Sequence, residues 1–131
     1  MSDIAKAGAP SLASVLPPAN NKITGLLAGE AIAAGDACYI KSDGKVWLST
    51  GAAATAPAVV DGYAPAAAAV GEAVTLISGV VFRYGAGLTP GTPYYLSGAT
   101  PGAIADATST GGTVVIGRAI DATRIFLRRS W

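Results

Sequence analysis

From residue 22 onward, short runs of apolar and β-branched residues alternate with turns that contain glycine and proline. We expect strands at residues 23–28, 37–41, 45–49, 58–64, 73–78, 80–84, 94–97, 113–119 and 123–129. The triplet Ser42-Asp43-Gly44 predicts a hairpin, because glycine readily takes the positive φ that a tight turn requires. The alanine cluster at residues 66–69 lies between a proline and a glycine, which leaves room for one helical turn at most. The pattern predicts an all-β protein.

Some of these strands belong to an internal repeat. The pattern G-x-x-[IL]-x-x-G-x-x-x-Y-[IL] begins at Gly29 and begins again 56 positions later at Gly85. Further on, V-V-D-G-Y-A at residues 59–64 matches V-V-I-G-R-A at residues 114–119. The glycines, tyrosines and paired valines match in register, which indicates two copies of one supersecondary unit.

Two similar halves then share one core, because neither copy alone buries enough surface to be stable. We place the halves at about residues 25–80 and 81–131. Gly62 and Gly117 occupy matching places inside strands, where glycine is typical of a bulge or bend. We expect a small curled sheet, a barrel or a sandwich.

Residues 1–21 follow a different pattern. Three prolines in this stretch prevent a continuous helix or a central strand, and neither a helical nor an alternating period persists. We interpret the stretch as an extended arm ahead of a β-domain at residues 22–131, the alternative being a disordered leader. Four apolar side chains that a solvated tail does not need make the arm a candidate contact with a partner: Ile4, Leu12, Val15 and Leu16.

Composition excludes several classes of function. Of 131 residues, 51% are hydrophobic but many of these are alanine, and 13% are charged, with nine basic and eight acidic side chains. A net charge of +1 is too small for nucleic-acid binding by phosphate neutralisation. The lack of histidine and the single cysteine, Cys38, exclude the usual zinc sites, histidine-activated nucleophiles and a disulfide within the chain. No secretory signal or membrane-spanning run is recognisable, so we expect no membrane partner.

No constellation of residues predicts an enzyme or a cofactor. The glycine-rich stretch at residues 85–91 precedes an expected strand rather than a helix, so it is interpreted as a turn and not as a phosphate site. Most acids stand beside glycine or alanine in turns, where carboxylates are ordinarily solvated. Cys38 without a partner is typical of a buried apolar residue in a protein made in a reducing cytosol. Trp47 and Trp131 are further candidate contacts, because tryptophan is favoured in interfaces.

The chain resembles the capsid decoration (cement) proteins and head-fibre-like structural proteins of tailed bacteriophages. The resemblance covers roughly residues 25–128 and rests on five segments. They are G-E-A-I-A-A-G-D-A-C-Y-I-K-S-D-G-K-V at 29–46, A-V-V-D-G-Y-A at 58–64, G-E-A-V-T-L-I-S-G-V-V at 71–81, L-T-P-G-T-P-Y-Y-L-S at 88–97 and V-V-I-G-R-A-I at 114–120. The chain lacks the long repetitive shaft of a true fibre, which favours a compact cement protein.

The resemblance implies a non-enzymatic virion protein, made in the host cytoplasm, that binds the outside of an assembled capsid and bridges its subunits. It implies the major capsid protein as a partner and a homotrimer as the assembled form. We expect the arm to lie on the shell while the domain packs against copies of itself. The alternative is a receptor- or glycan-binding module of a tail or baseplate, with four aromatic residues as platforms for sugar rings: Trp47, Tyr63, Tyr94 and Tyr95.

Overall fold

A computed structural model of the protein describes residues 3–12 and 21–131. Within these residues the protein is all-β, as predicted, with a short 3₁₀ turn at Ala56–Ala58. The eleven strands are β1 (Ser11–Leu12), β2 (Lys22–Leu27), β3 (Ala37–Ile40), β4 (Val46–Leu48), β5 (Gly62–Tyr63), β6 (Ala73–Ile77), β7 (Val80–Arg83), β8 (Pro93–Leu96), β9 (Ile104–Ala105), β10 (Gly117–Ala119) and β11 (Arg124–Leu127).

The strands form two sheets with the same internal order. The first sheet runs β2-β6-β5-β3-β4, and the second runs β1-β7-β11-β10-β8-β9. Apart from β1, each strand of the second sheet takes the place that its counterpart takes in the first, and every pairing between strands is antiparallel. The tyrosines of the sequence repeat lie at equivalent places, Tyr39 in β3 and Tyr95 in β8.

Most of the expected strands are shorter than the pattern predicted, two of them by four residues or more, and two strands were not predicted. The expected strand at 58–64 keeps only Gly62–Tyr63, and the one at 113–119 keeps only Gly117–Ala119. In the first case Pro57 lies inside the 3₁₀ turn, whose proline-fixed φ suits a turn. Strands β1 and β9 contain two residues each, too few for any periodicity to show.

The buried hydrophobic residues in the described part of the chain form two clusters. The larger lies between the sheets and joins residues of both halves, with the rings of Tyr63 and Phe82 centred 6.3 Å apart. The smaller lies inside the curl of the first sheet and includes Cys38, Val46 and Leu76. The first sheet is therefore covered on both faces, whereas the second is covered on one. Full burial of one large apolar side chain contributes about 1.5–3 kcal/mol, so these clusters provide the main stabilisation.

The first sheet curls until its edge strands meet. Ala28, just after β2, forms a parallel bridge with Val46 of β4, and the Gly29 N–H donates to the Val46 carbonyl at 2.8 Å. Glycine is required at position 29 because a Cβ there would lie 2.3 Å from the Trp47 indole ring. The first half closes on itself in this way.

The second sheet is closed by the N-terminal segment instead. The Ile4 N–H donates to the Ile104 carbonyl in β9 at 3.0 Å, and the Ala7 N–H donates to the Tyr84 carbonyl at 3.1 Å. Further along, β1 pairs with β7. Residues 3–12 thus fill the gap between the two edge strands of the second half.

Candidate interaction surface

Of the expected contact residues of the arm, only Ile4 has a side chain whose contacts the structure describes. Ile4 is partly buried and packs against the cluster between the sheets, so the contact that the structure shows for it is with the core of its own chain. Leu12 lies in β1, where its backbone pairs with Phe82. Val15 and Leu16 lie outside the described residues. The described part of the arm is held by the domain because both edge strands of the second half offer it backbone hydrogen bonds.

Polar contacts fix the same segment on both halves. The Ser97 hydroxyl donates to the Asp3 carboxylate at 2.6 Å, and the Lys6 ammonium pairs with the buried Asp36 carboxylate. Asp36 belongs to the first half and Ser97 to the second, so residues 3–12 join the halves. They are part of the β-domain rather than an appendage of it.

Trp47 is held by residues of its own hairpin. Its indole N–H donates to both oxygens of the Asp43 carboxylate, at 3.1 and 3.3 Å, and the Lys41 ammonium lies 4.4 Å from the ring centre. Gly29 lies against the indole ring on the neighbouring chain segment. The ring is only half-buried, but its contacts within the β3–β4 hairpin account for its position.

Trp131 is the most exposed aromatic residue of the described chain, with 67% of its surface accessible. Its indole N–H donates to Oδ1 of Asp61 at 2.7 Å, while Oδ2 of the same carboxylate accepts from the Ile40 N–H, also at 2.7 Å. The Arg129 guanidinium lies 4.4 Å from the ring centre. The indole is therefore held in one orientation with much of its apolar surface in solvent.

The chain end that presents Trp131 is itself fixed. The Ser130 N–H donates to the Val60 carbonyl at 3.1 Å, and the Val60 N–H donates back to the Ser130 hydroxyl at 2.9 Å. The Tyr63 hydroxyl, buried in the core, donates to the Arg128 carbonyl at 2.8 Å. These hydrogen bonds fix residues 128–130 to the first half of the chain, so the C-terminal segment is ordered against the domain.

Exposed aliphatic side chains line two grooves, one beside Trp131 and one beside its hydrogen-bond partner Asp61. One groove of about 430 Å³ joins Trp131 to Val114, and another of about 510 Å³ lies beyond Asp61, between Ile40 and Val59. The accessible fractions of the three aliphatic side chains range from 36% to 45%. We call this surface the C-terminal face and define it by five residues: Ile40, Val59, Asp61, Val114 and Trp131.

Sequence reasoning found only Trp131 of this face. A signal for Asp61 was present, because V-V-D-G-Y-A has a carboxylate where the second copy has Ile116. The aliphatic members have no local signal, since a valine or isoleucine in a strand is ordinarily a core residue.

Two of the four proposed sugar platforms are buried. Tyr63 is fully inaccessible and Tyr94 is 2% accessible, so the expectation that they stack on sugar rings is wrong. Burial raises the pKa of the Tyr63 hydroxyl well above its ordinary value. These rings fill the space between the sheets. Successive side chains of a strand point to opposite faces of the sheet, so every second residue faces this space.

Cys38 is a core residue. Its side chain is fully buried, and its thiol donates to the Asp36 carbonyl at 3.3 Å. Burial, with a smaller effect from the nearby Asp36 carboxylate, raises the pKa of the thiol far above its ordinary value. A thiol in this state is a poor nucleophile.

Among residues 3–12 and 21–131, no group of three or more histidine, cysteine or acidic side chains is placed to hold a metal ion. No helix in this described part is long and apolar enough to cross a membrane. Comparison of the chain with protein-family models and with curated proteins gives no match.

Proposed function

We propose that this protein is a non-enzymatic structural component of a phage virion that binds the outer surface of the capsid and bridges its subunits. The major capsid protein is the proposed partner, and a homotrimer is the proposed assembled form. Support comes from the sequence resemblance described above and from a compact two-sheet body that offers a fixed apolar surface. Synthesis in the host cytoplasm and a final location on the capsid exterior are part of the same proposal.

The observation that carries the proposal is the C-terminal face. It combines an exposed tryptophan, whose polar atom is already satisfied, with aliphatic neighbours at the rims of two grooves. Aromatic anchors next to shallow grooves are typical of the central residues of protein interfaces. Because Asp61 and Arg129 hold the indole in place, binding would cost little side-chain entropy.

Residues 3–12 support the proposal in a different way from the one expected. They join the two halves of one chain through a hydrogen bond and an ion pair, which favours a single body of the kind that could bridge capsid subunits. Deletion of the arm would therefore disturb the fold itself. The capsid contact is better tested at the C-terminal face.

The experiment is sedimentation of capsids that lack the protein after incubation with increasing amounts of it. We expect saturable binding of wild-type protein at a fixed ratio to capsid subunits. The Trp131→Ala variant should bind at least about tenfold more weakly, as expected for the loss of a central aromatic anchor. Its unfolding transition should match that of the wild type, because the side chain is mostly exposed.

Val70→Ala is the matched control. Val70 is as exposed as Trp131, at 68%, but lies before β6, at the far end of that strand from Gly79 and the first groove. It should bind capsids like the wild type. Equal binding by Trp131→Ala would exclude the C-terminal face as the contact. Failure of the wild type to bind capsids, with retention on host cell envelopes instead, would favour the alternative function, a receptor- or glycan-binding module of a tail or baseplate.

A further inference from the structure

The solvent face of the second sheet has an unusual composition. Within the register of the sheet, Arg118 of β10 lies opposite Phe126 of β11, and Arg124 of β11 lies opposite Arg83 of β7. Arg128 follows on the same side and lines a groove of about 250 Å³ with Arg118 and Phe126. We call this surface the arginine face and define it by Arg83, Arg118, Arg124, Arg128 and Phe126.

The arginines are concentrated in this half of the chain. All five arginines follow residue 80, whereas all four lysines precede it. Arginine rather than lysine is the residue that binds carboxylates through two parallel hydrogen bonds. The distribution therefore gives the second half a distinct recognition chemistry.

Two of these arginines lie opposite each other on neighbouring strands. Like charges directly opposite each other on neighbouring strands are destabilising, and Arg83 and Arg124 are such a pair. The Asp121 carboxylate forms an ion pair with the Arg124 guanidinium, with Nε of Arg124 2.7 Å from Oδ2 of Asp121. Within the described residues, Arg83, Arg118 and Arg128 form no ion pair.

Phe126 is exposed in the middle of these charges. It is 40% accessible, and neither cation–π contact in the described part of the chain involves its ring. The arginines are thus not used to cover the phenyl group. An exposed aromatic ring among arginines combines the residue types that are enriched at the centres of protein interfaces.

The equivalent residue pair in the first half is buried, and the comparison shows which residue types occupy these positions when another sheet covers them. The pair equivalent to Arg118 and Phe126 is Tyr63 and Ile77, on the corresponding strands β5 and β6. Both are buried in the cluster between the sheets, because the second half packs over them. The same place in the second half carries charged and aromatic residues and lies in solvent.

We infer that the arginine face is a docking surface for a carboxylate-rich protein surface. Charge complementarity selects this partner. A second copy presenting the same face would be repelled, and a nucleic acid would meet a chain whose net charge is only +1. If the capsid proposed above is that partner, a condition that rests on the proposed function, the contact would require glutamate or aspartate side chains on the shell.

The test measures binding of an immobilised synthetic peptide of alternating glutamate and alanine to the purified full-length protein. Arg118→Gln combined with Arg128→Gln should weaken binding at least about tenfold, since charge-assisted pairs are the strong ones. The control pair, Lys22→Gln with Lys45→Gln, removes the same charge from exposed positions of the first half and should change binding less than about twofold. Phe126→Ala should weaken binding without changing its salt dependence.

Three results would overturn the inference. One is no binding of the peptide by the wild type, and another is equal loss in the arginine and lysine variants. The third is tighter binding of a single-stranded oligonucleotide of equal charge, lost in the arginine variant, which would make the face a nucleic-acid site. The assay contains no capsid, so its failure is distinct from failure of the capsid proposal.

Discussion

The two halves of this protein share one strand order but differ in how they are completed. In the first, the ends of β2 and β4 meet directly through Ala28 and Val46. In the second, the equivalent gap is filled by residues 3–12, which pair with β9 and with β7. One unit is closed by its own chain segment and the other needs an added strand. A repeated topology therefore does not imply that both copies are independent of the rest of the chain.

The halves also differ in what covers their faces. The first sheet has a hydrophobic cluster on each side, and the second has one cluster and one solvent face. Residue type follows this difference, since Tyr63 is buried where its counterpart Arg118 is exposed. The solvent face of the second sheet therefore carries charged and aromatic residues where the equivalent face of the first sheet is buried.

Removal of residues 1–12 should cause the largest loss of stability, because only the second half depends on this segment. It deletes the strand that closes the second half, and the free energy of unfolding should fall by at least about 3 kcal/mol, at about 1 kcal/mol for each of several backbone hydrogen bonds. Urea unfolding measures the loss. Hydrogen exchange should speed up in β7 and β9 but not in β4.

A synthetic peptide of residues 1–12, added in trans, is the control for that deletion and should restore part of the lost stability. If the shortened chain unfolds at the same urea concentration as the full chain, the segment is not a structural strand. Neither half would then need a segment from outside itself for its stability.

The two equivalent glycines should tolerate a methyl group differently. A Cβ at Gly62 would lie 2.8 Å from Cβ of Leu76 and 3.2 Å from the Ile77 carbonyl oxygen, whereas at Gly117 the nearest atom is the flexible Cδ2 of Leu127 at 3.0 Å. We expect Gly62→Ala to cost about 3 kcal/mol and Gly117→Ala about 1 kcal/mol, as overpacking against fixed or yielding atoms predicts. Denaturant unfolding of both variants measures the two losses in free energy of unfolding. A larger loss for Gly117→Ala would show that the packing around Gly62 accommodates a methyl group more readily than the packing around Gly117.

Two buried tyrosine hydroxyls offer a finer comparison. The Tyr63 hydroxyl donates to the Arg128 carbonyl at 2.8 Å, whereas the buried Tyr84 hydroxyl has no hydrogen-bond partner of normal geometry among the described residues. Tyr63→Phe should therefore destabilise the protein by about 1 kcal/mol, and Tyr84→Phe should be close to neutral. Thermal unfolding of the two variants side by side would check this. A larger loss for Tyr84→Phe would contradict the assigned contacts.

The smallest effect concerns the turn before β11. The Thr123 N–H and the Arg124 side chain donate to the Asp121 carboxylate and lower its pKa from 3.8 to about 2. Because the folded-state pKa is lowered, the contribution to stability is present above pH 3.8 and is lost as the pH falls through about 2. An NMR titration of the carboxyl carbon checks the value, and Arg124→Gln should raise it toward 3.8.

Lys45→Gln is the matched charge removal in the first half and should leave the Asp121 titration unchanged. If both variants shift it equally, the effect arises from the net charge of the protein rather than from the local pair. The asymmetry between the halves would then not extend to this turn.

Part of the candidate surface could be predicted from sequence and part could not. Trp131 was recognised because tryptophan is frequent in interfaces, whereas Val59 and Val114 look like ordinary strand residues. Ile4 has the apolar character of a contact residue, and only the three-dimensional structure shows that its contact is the core of the same chain. A sequence records that a side chain is apolar, but not which surface covers it.

Local pattern alone determined the all-β class, most strand positions and the alignment of equivalent residues, because alternation and turn glycines act over a few residues. Tertiary structure decided the rest. The short strands β1 and β9 exist only through pairing with distant segments, and the role of the N-terminal segment depends on a gap between two edge strands. Alternation shows which residues share a face of a strand. Only the packing of one sheet on another decides that Tyr63 is buried and Arg118 meets solvent.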